Sequence, residues 1–164
     1  MRLLARLIGT VLGVGHTRPG PGTWGSLVAL PWGWLLHELG GLPLLAGAIV
    51  VAFGLGWWAT ARMTAGSDDH DPSEIVVDEL VGQWIAILPL SHAAWSLEIS
   101  ILAMWPGWIA AFVLFRLFDI WKPGPVGWAD RRGDALGVML DDVIAGVLAA
   151  LGVLALAALA HGLF

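Results

Sequence analysis

Cysteine is absent from the 164-residue chain, which excludes disulfides, thiolate catalysis and cysteine-ligated metals. Charge is also scarce: Asp, Glu, Lys and Arg make up only 13% of the residues, against about a quarter in soluble domains. Tyrosine is missing, while tryptophan occurs eleven times, a composition suited to an interfacial aromatic belt. The five histidines are scattered and show no zinc spacing such as H-E-x-x-H. No tandem repeat or linker interrupts the chain, so residues 1–164 read as a single domain, and no nucleic-acid partner is expected. What fills the sequence is apolar: 58% of residues are hydrophobic and the mean hydropathy is +0.80, which marks a membrane protein.

The expected fold class is all-α, a polytopic membrane bundle of about five transmembrane helices. A bilayer core of about 30 Å takes roughly 20 apolar residues in a helix, and five segments qualify: 24–39, 43–61, 80–97, 99–118 and 143–162. Pro31 and Pro89 interrupt the first and third, which neighbouring helices can accommodate. The N-terminal stretch, basic and broken by Gly9, Gly13 and Gly15, is expected to form an interfacial helix. With the N-terminus in the cytoplasm, all eight Lys and Arg residues fall inside, as the positive-inside rule requires. The tail at His161–Phe164 then ends outside.

That orientation also gathers acids. Asp68, Asp69, Asp71, Glu74, Asp78, Glu79, Asp119, Asp130, Asp134, Asp141 and Asp142 all fall on the inner face, leaving Glu38 and Glu98 outside. Asp71-Pro72-Ser73-Glu74 has the pattern of a helix start with a capping box, and capping explains Asp71 and Glu74 at least as well as chemistry does. On that helix Asp78 and Glu79 lie a turn further in, where no free amide needs them, and Asp71, Glu74 and Asp78 share a face. Asp119 ends an apolar helix, where the dipole disfavours an anion. Asp141 and Asp142 directly precede the last apolar run; one could cap it, but not both. Arg116, Lys122, Arg131 and Arg132 surround this second group, as a compensating charge face or as phosphate ligands. Hard carboxylate oxygens beside bases at a membrane edge suit Mg²⁺ or Mn²⁺ with a phosphate. In residues 16–31, Thr23 and Ser26 open an apolar helix; an ordinary N-cap is the simpler explanation, with phosphate contact the alternative.

Three elements in this order resemble the phosphatidylglycerophosphatase A family: "PGTWGSLVALP" at 21–31, "DPSEIVVDELVGQW" at 71–84, and "RLFDIWKPGPVGW" with "LGVMLDDVIAG" at 116–128 and 136–146. Before the last motif the chain reads Gly133-Asp134-Ala135 where the family often has paired glycines, which bears on the local loop and on Asp134. The resemblance implies a Mg²⁺-dependent lipid phosphatase of the bacterial inner membrane, multi-pass, with its site on the cytoplasmic face. It would convert phosphatidylglycerophosphate to phosphatidylglycerol and phosphate. It implies catalytic roles for Asp78, Glu79, Asp119, Asp142 and Lys122, and metal ligation by residues among Asp71, Glu74, Asp78, Glu79, Asp141 and Asp142. Substrate contacts would come from Thr23, Ser26, Arg116, Lys122, Arg131 and Arg132. The alternative is a non-enzymatic cation-binding or transporter-like membrane protein, whose acids would be expected near the bilayer midplane instead.

Overall fold

The computed structural model describes residues 1–67 and 69–162; Asp68, expected on the inner face, and Leu163 and Phe164 of the expected outer tail lie outside them. All regular structure among the described residues is helical: α1 (Arg2–Gly9), α2 (Pro21–Met63), α3 (Val77–Ala86), α4 (Leu88–Leu97), α5 (Trp105–Trp121), α6 (Pro125–Asp130) and α7 (Ala135–Ala160), with short 3₁₀ turns at Val14–His16 and Ile101–Met104. Among the described residues, three helical segments are long and apolar enough to cross a membrane: α2, Ile101–Trp121 and α7. A fourth is possible if α3 and α4, bent by 42° at Ile87, count as one span.

At 43 residues α2 would be about 64 Å long if straight, roughly twice a bilayer core. It is instead two arms. Gly40 and Gly41 leave helical geometry, Gly41 with φ +61, a left-handed conformation that favours glycine. A side chain at Gly41 would also strike the Trp95 ring at 1.9 Å. A straight helix would hold Gly25 and Gly56 about 46 Å apart, yet they abut the consecutive residues Val76 and Val77. The arms therefore run antiparallel.

Helix boundaries follow local chemistry, and several differ from the sequence expectation. α2 starts at Gly20-Pro21, with proline at the first turn, so neither Thr23 nor Ser26 caps it. The stretch Asp71-Pro72-Ser73-Glu74 is not a helix start: it forms a turn closed by Ile75 N donating to Pro72 O at 2.8 Å, and α3 begins at Val77. The cause is tertiary. Val76 N donates to Gly9 O at 2.8 Å, and the Glu74 carbonyl packs against Gly15 so closely that a Cβ there would lie 1.8 Å from it. This strand-like tether to the N-terminal segment holds residues 74–76 out of the helix, so Asp71, Glu74 and Asp78 share no helical face. α7 begins at Ala135, two turns before Asp141 and Asp142, because Asp134 Oδ1 accepts from Gly137 N at 2.7 Å and serves as the N-cap.

α3 is the central element. Nine of its ten residues are buried, enclosed by the α2 arms, α5 and α7. At its crossing with α7 the chain uses glycine on glycine: a Cβ on Gly146 would lie 2.4 Å from Gly82 O, the close backbone approach typical of helix pairs in lipid. Outward-facing Val50, Ile109, Val113, Leu151 and Leu154 are exposed apolar side chains, a surface suited to lipid rather than water.

Candidate active site

Asp78 and Glu79 occupy the first turn of α3, where the positive end of the helix dipole favours carboxylates. Asp78 Oδ1 accepts from Glu79 N at 3.0 Å. They are thus at a helix start rather than one turn inside it. Asp142 reaches them from α7 because Gly82 has no side chain; a Cβ at Gly82 would lie 2.6 Å from Asp142 O. One carboxylate oxygen from each of Asp78, Glu79 and Asp142 lies within 4.8 Å of the others. Asp78 and Asp142 are buried, at 6% and 3% exposure.

The third wall is basic. Arg116, near the end of α5, pairs with Asp119 at 2.6 Å and donates from Nη1 to Ser26 Oγ at 3.4 Å. Ser26 in turn donates to Gly22 O at 2.9 Å. At Gly22 the backbone of α2 presses against the site: a Cβ there would sit 2.1 Å from Glu79 Oε1 and 3.2 Å from Arg116 Nη1. Lys122 closes α5 in a left-handed conformation, its ammonium donating to Asp130 and, at 2.7 Å, to Asp141. Burial alone would lower its pKa, but the bonds to Asp130 and Asp141 outweigh burial and raise it. Burial raises the pKa of Asp71, which also feels the opposing charge of Lys122 and the like charges of Asp130, Asp69 and Asp119.

The structure therefore brings together Asp78, Glu79 and Asp142, with Arg116, Asp119 and Ser26 beside them, and places the Lys122–Asp141 pair one residue away. Asp71 lies at the edge of this group, within the charge field of Lys122, Asp130 and Asp119 but outside the triad; the remaining candidates are not brought in. Glu74 faces His16 at 3.7 Å, and Thr23 is half-buried in the first turn of α2. Arg131 and Arg132 are exposed; Arg132 pairs with Asp134 at 2.9 Å and lies 6.0 Å from the Trp128 ring centroid. Gly22 is absent from the sequence-derived candidates. Its signal was the Gly22 and Gly25 pair at three-residue spacing, which lays bare backbone along one helix face.

Three carboxylates this close, removed from water, repel strongly unless protons or a cation lie among them. Among the described residues Glu79 Oε2 and Asp142 Oδ1 are buried without a hydrogen-bond partner, as is Arg116 Nε. Orphaned hard oxygens in a cluster fit a divalent cation such as Mg²⁺, and an unfilled guanidinium beside them fits an anionic oxygen.

A helical chain with membrane-length apolar segments around a buried carboxylate triad and an arginine is a membrane protein built about a polar reaction centre. The phosphatidylglycerophosphatase A family model matches residues 7–157. Phosphatidylglycerophosphatase A of Escherichia coli K12 is 37% identical over 134 residues, covering 79% of this chain and 70% of that protein. The Haemophilus influenzae protein of the same name is 36% identical over 152 residues, covering 92% and 86%. A Bacteroides thetaiotaomicron relative, provisionally named a phosphatidylinositol-3-phosphatase, is 40% identical over 146 residues, covering 86% of each chain. No solved structure matches. The chain belongs to the phosphatidylglycerophosphatase A family.

Proposed function

We propose that this protein hydrolyses the terminal phosphomonoester of phosphatidylglycerophosphate, giving phosphatidylglycerol and inorganic phosphate, with the whole chain acting as one domain. The observation that carries this, alongside family membership, is the convergence of Asp78, Glu79 and Asp142 within 4.8 Å beside Arg116. Asp78, Glu79 and Asp142 would hold Mg²⁺, whose contribution there is to neutralise phosphate charge and favour attack on phosphorus. Arg116 stabilises negative charge on the transferring oxygens. Asp119 and Ser26 fix its guanidinium, and Gly22 lets α2 close directly on Glu79 and Arg116. Lys122, already engaged by two carboxylates, holds Asp141 and the start of α7 in register rather than reaching the phosphate. Overall, water is added across the terminal bond: a new P–O bond forms, the bond to the glycerol oxygen breaks, and that oxygen leaves protonated.

The proposed setting is the bacterial inner membrane, with five spans, the two arms of α2 counted separately and α3–α4 as one. The N-terminus and the site face the cytoplasm. In support, Arg2, Arg6 and Arg62 line one cleft, and Arg18, Arg116, Lys122 and Arg132 all bond residues at the triad end of the bundle. That end is the one expected inside.

The test is phosphate release by purified protein in lipid micelles, with Mg²⁺ and then EDTA, using phosphatidylglycerophosphate and phosphatidylinositol 3-phosphate in parallel. Expected are EDTA-sensitive release from the first, little from the second, and at least a hundredfold loss in D78N. Full activity in EDTA or in D78N would refute the site, and preference for the inositol lipid would reassign the substrate.

A further inference from the structure

Gln83 is the only glutamine in a chain that contains no asparagine, so it carries the protein's sole side-chain carboxamide. It sits where such a group is most costly. Its exposure is 0%, and neither Nε2 nor Oε1 has a hydrogen-bond partner among the described residues. An unpaired buried amide bears the full cost of its lost hydration, and a leucine or methionine of similar size would pack without that penalty. Packing alone therefore does not account for glutamine here.

Its place in the fold does. Gln83 lies four residues after Glu79 on α3, hence on the same face and one turn deeper. Glu79 abuts Gly22 and Gly25 of α2, and Trp84 donates to Ala29 O at 2.8 Å, so Gln83 lies deeper along α2 than the carboxylates. From the other side Phe115, next to Arg116, packs against Gly82. The unpartnered buried atoms of Gln83, Glu79 and Arg116 complement one another. Gln83 Nε2 and Arg116 Nε offer N–H donors, and Gln83 Oε1 and Glu79 Oε2 are acceptors. None is hydrogen-bonded to another, and buried polar groups left unpaired in this way are ones that ordered water bridges.

We propose that Gln83 is a positioning residue that ties the Glu79 carboxylate to the Arg116 guanidinium through water beneath the triad. Nε2 donates toward Glu79 Oε2, and Oε1 accepts from the Arg116 Nε–H. The residue thereby fixes the cation-facing carboxylate relative to the phosphate-facing guanidinium. This rests on the metal and phosphate roles proposed above.

The sole carboxamide also supplies the test. In wild-type protein labelled with ¹⁵N-glutamine, one side-chain NH₂ pair is observable by NMR, and titration with Mg²⁺ should shift it with the midpoint at which Mg²⁺ activates phosphate release. A pair unmoved by activating Mg²⁺ would overturn the proposal. In Q83M, Mn²⁺ affinity read by EPR should fall 10–100-fold while the melting temperature stays the same or rises. Wild-type Mn²⁺ affinity in Q83M would overturn the proposal as well. The NMR arm uses unmutated protein and decides the matter if Q83M does not fold. Wild-type protein that binds neither Mg²⁺ nor Mn²⁺ refutes the metal role itself, an outcome distinct from failure of Gln83 alone.

Discussion

Replacing Gly22 with alanine adds one methyl where α2 meets the carboxylates, and it separates catalytic geometry from fold stability. The new Cβ would sit 2.1 Å from Glu79 Oε1. To reach ordinary contact at 3.4 Å the carboxylate oxygen must retreat by about 1.3 Å, and a displacement of about 1 Å at a reacting centre costs on the order of a hundredfold in rate. The atom that yields is the end of a flexible side chain, so folding should lose little. G146A supplies the contrast. Its Cβ meets the Gly82 carbonyl at 2.4 Å, backbone that cannot swing aside, and overpacking of that kind costs about 1–3 kcal/mol. The assay pairs kcat/KM for phosphate release with thermal unfolding in the same detergent. G22A should lose about a hundredfold in kcat/KM, or about 2.7 kcal/mol of transition-state stabilisation, with a melting temperature near wild type, whereas G146A should melt distinctly lower. G22A with wild-type kcat/KM, or with the melting loss of G146A, would show that the proximity of α2 to Glu79 does not shape the site.

Two further outcomes follow from the charge chemistry around α7. D134A removes the N-cap and should cost about 1 kcal/mol at neutral pH. The bond from Arg132 and that from Gly137 N lower the Asp134 pKa below 3.8, so this stabilisation is full above 3.8 and is lost as pH falls through the lower folded value; the D134A and wild-type unfolding curves should converge in strong acid. K122M strands the buried carboxylate of Asp141 and should destabilise by about 1–3 kcal/mol, with K122M/D141N recovering most of that loss in chemical denaturation.

Hydropathy carried most of the fold. The helical class and the long apolar segments were legible, because membrane-length helices are specified by composition; the left-handed geometry at Gly41 was not. Helix starts were less legible. Asp71-Pro72-Ser73-Glu74 has the local chemistry of a cap, but the Val76–Gly9 hydrogen bond and the packing of Glu74 on Gly15 override it, and both are contacts distant in sequence. The same blindness placed Asp141 and Asp142 at a helix start when Asp134, with its bond to Gly137 N, was the cap.

For the site, the residue types were legible and their selection was not. Sequence spacing offered six metal candidates, and the structure gathers Asp78, Glu79 and Asp142. Glu74 is diverted to His16 and Asp141 to Lys122 by partners that local patterns do not reveal. Gly22 mattered through what it lacks, and pattern reading is drawn to side chains.

The central claim is that Asp78, Glu79 and Asp142 jointly hold one class of divalent cation, and the direct measurement is Mn²⁺ binding by EPR to wild-type and D142N protein. Saturable binding in the wild type that weakens at least a hundredfold in D142N, with the melting temperature preserved, is the predicted result. Equal Mn²⁺ affinity in the two proteins would contradict it.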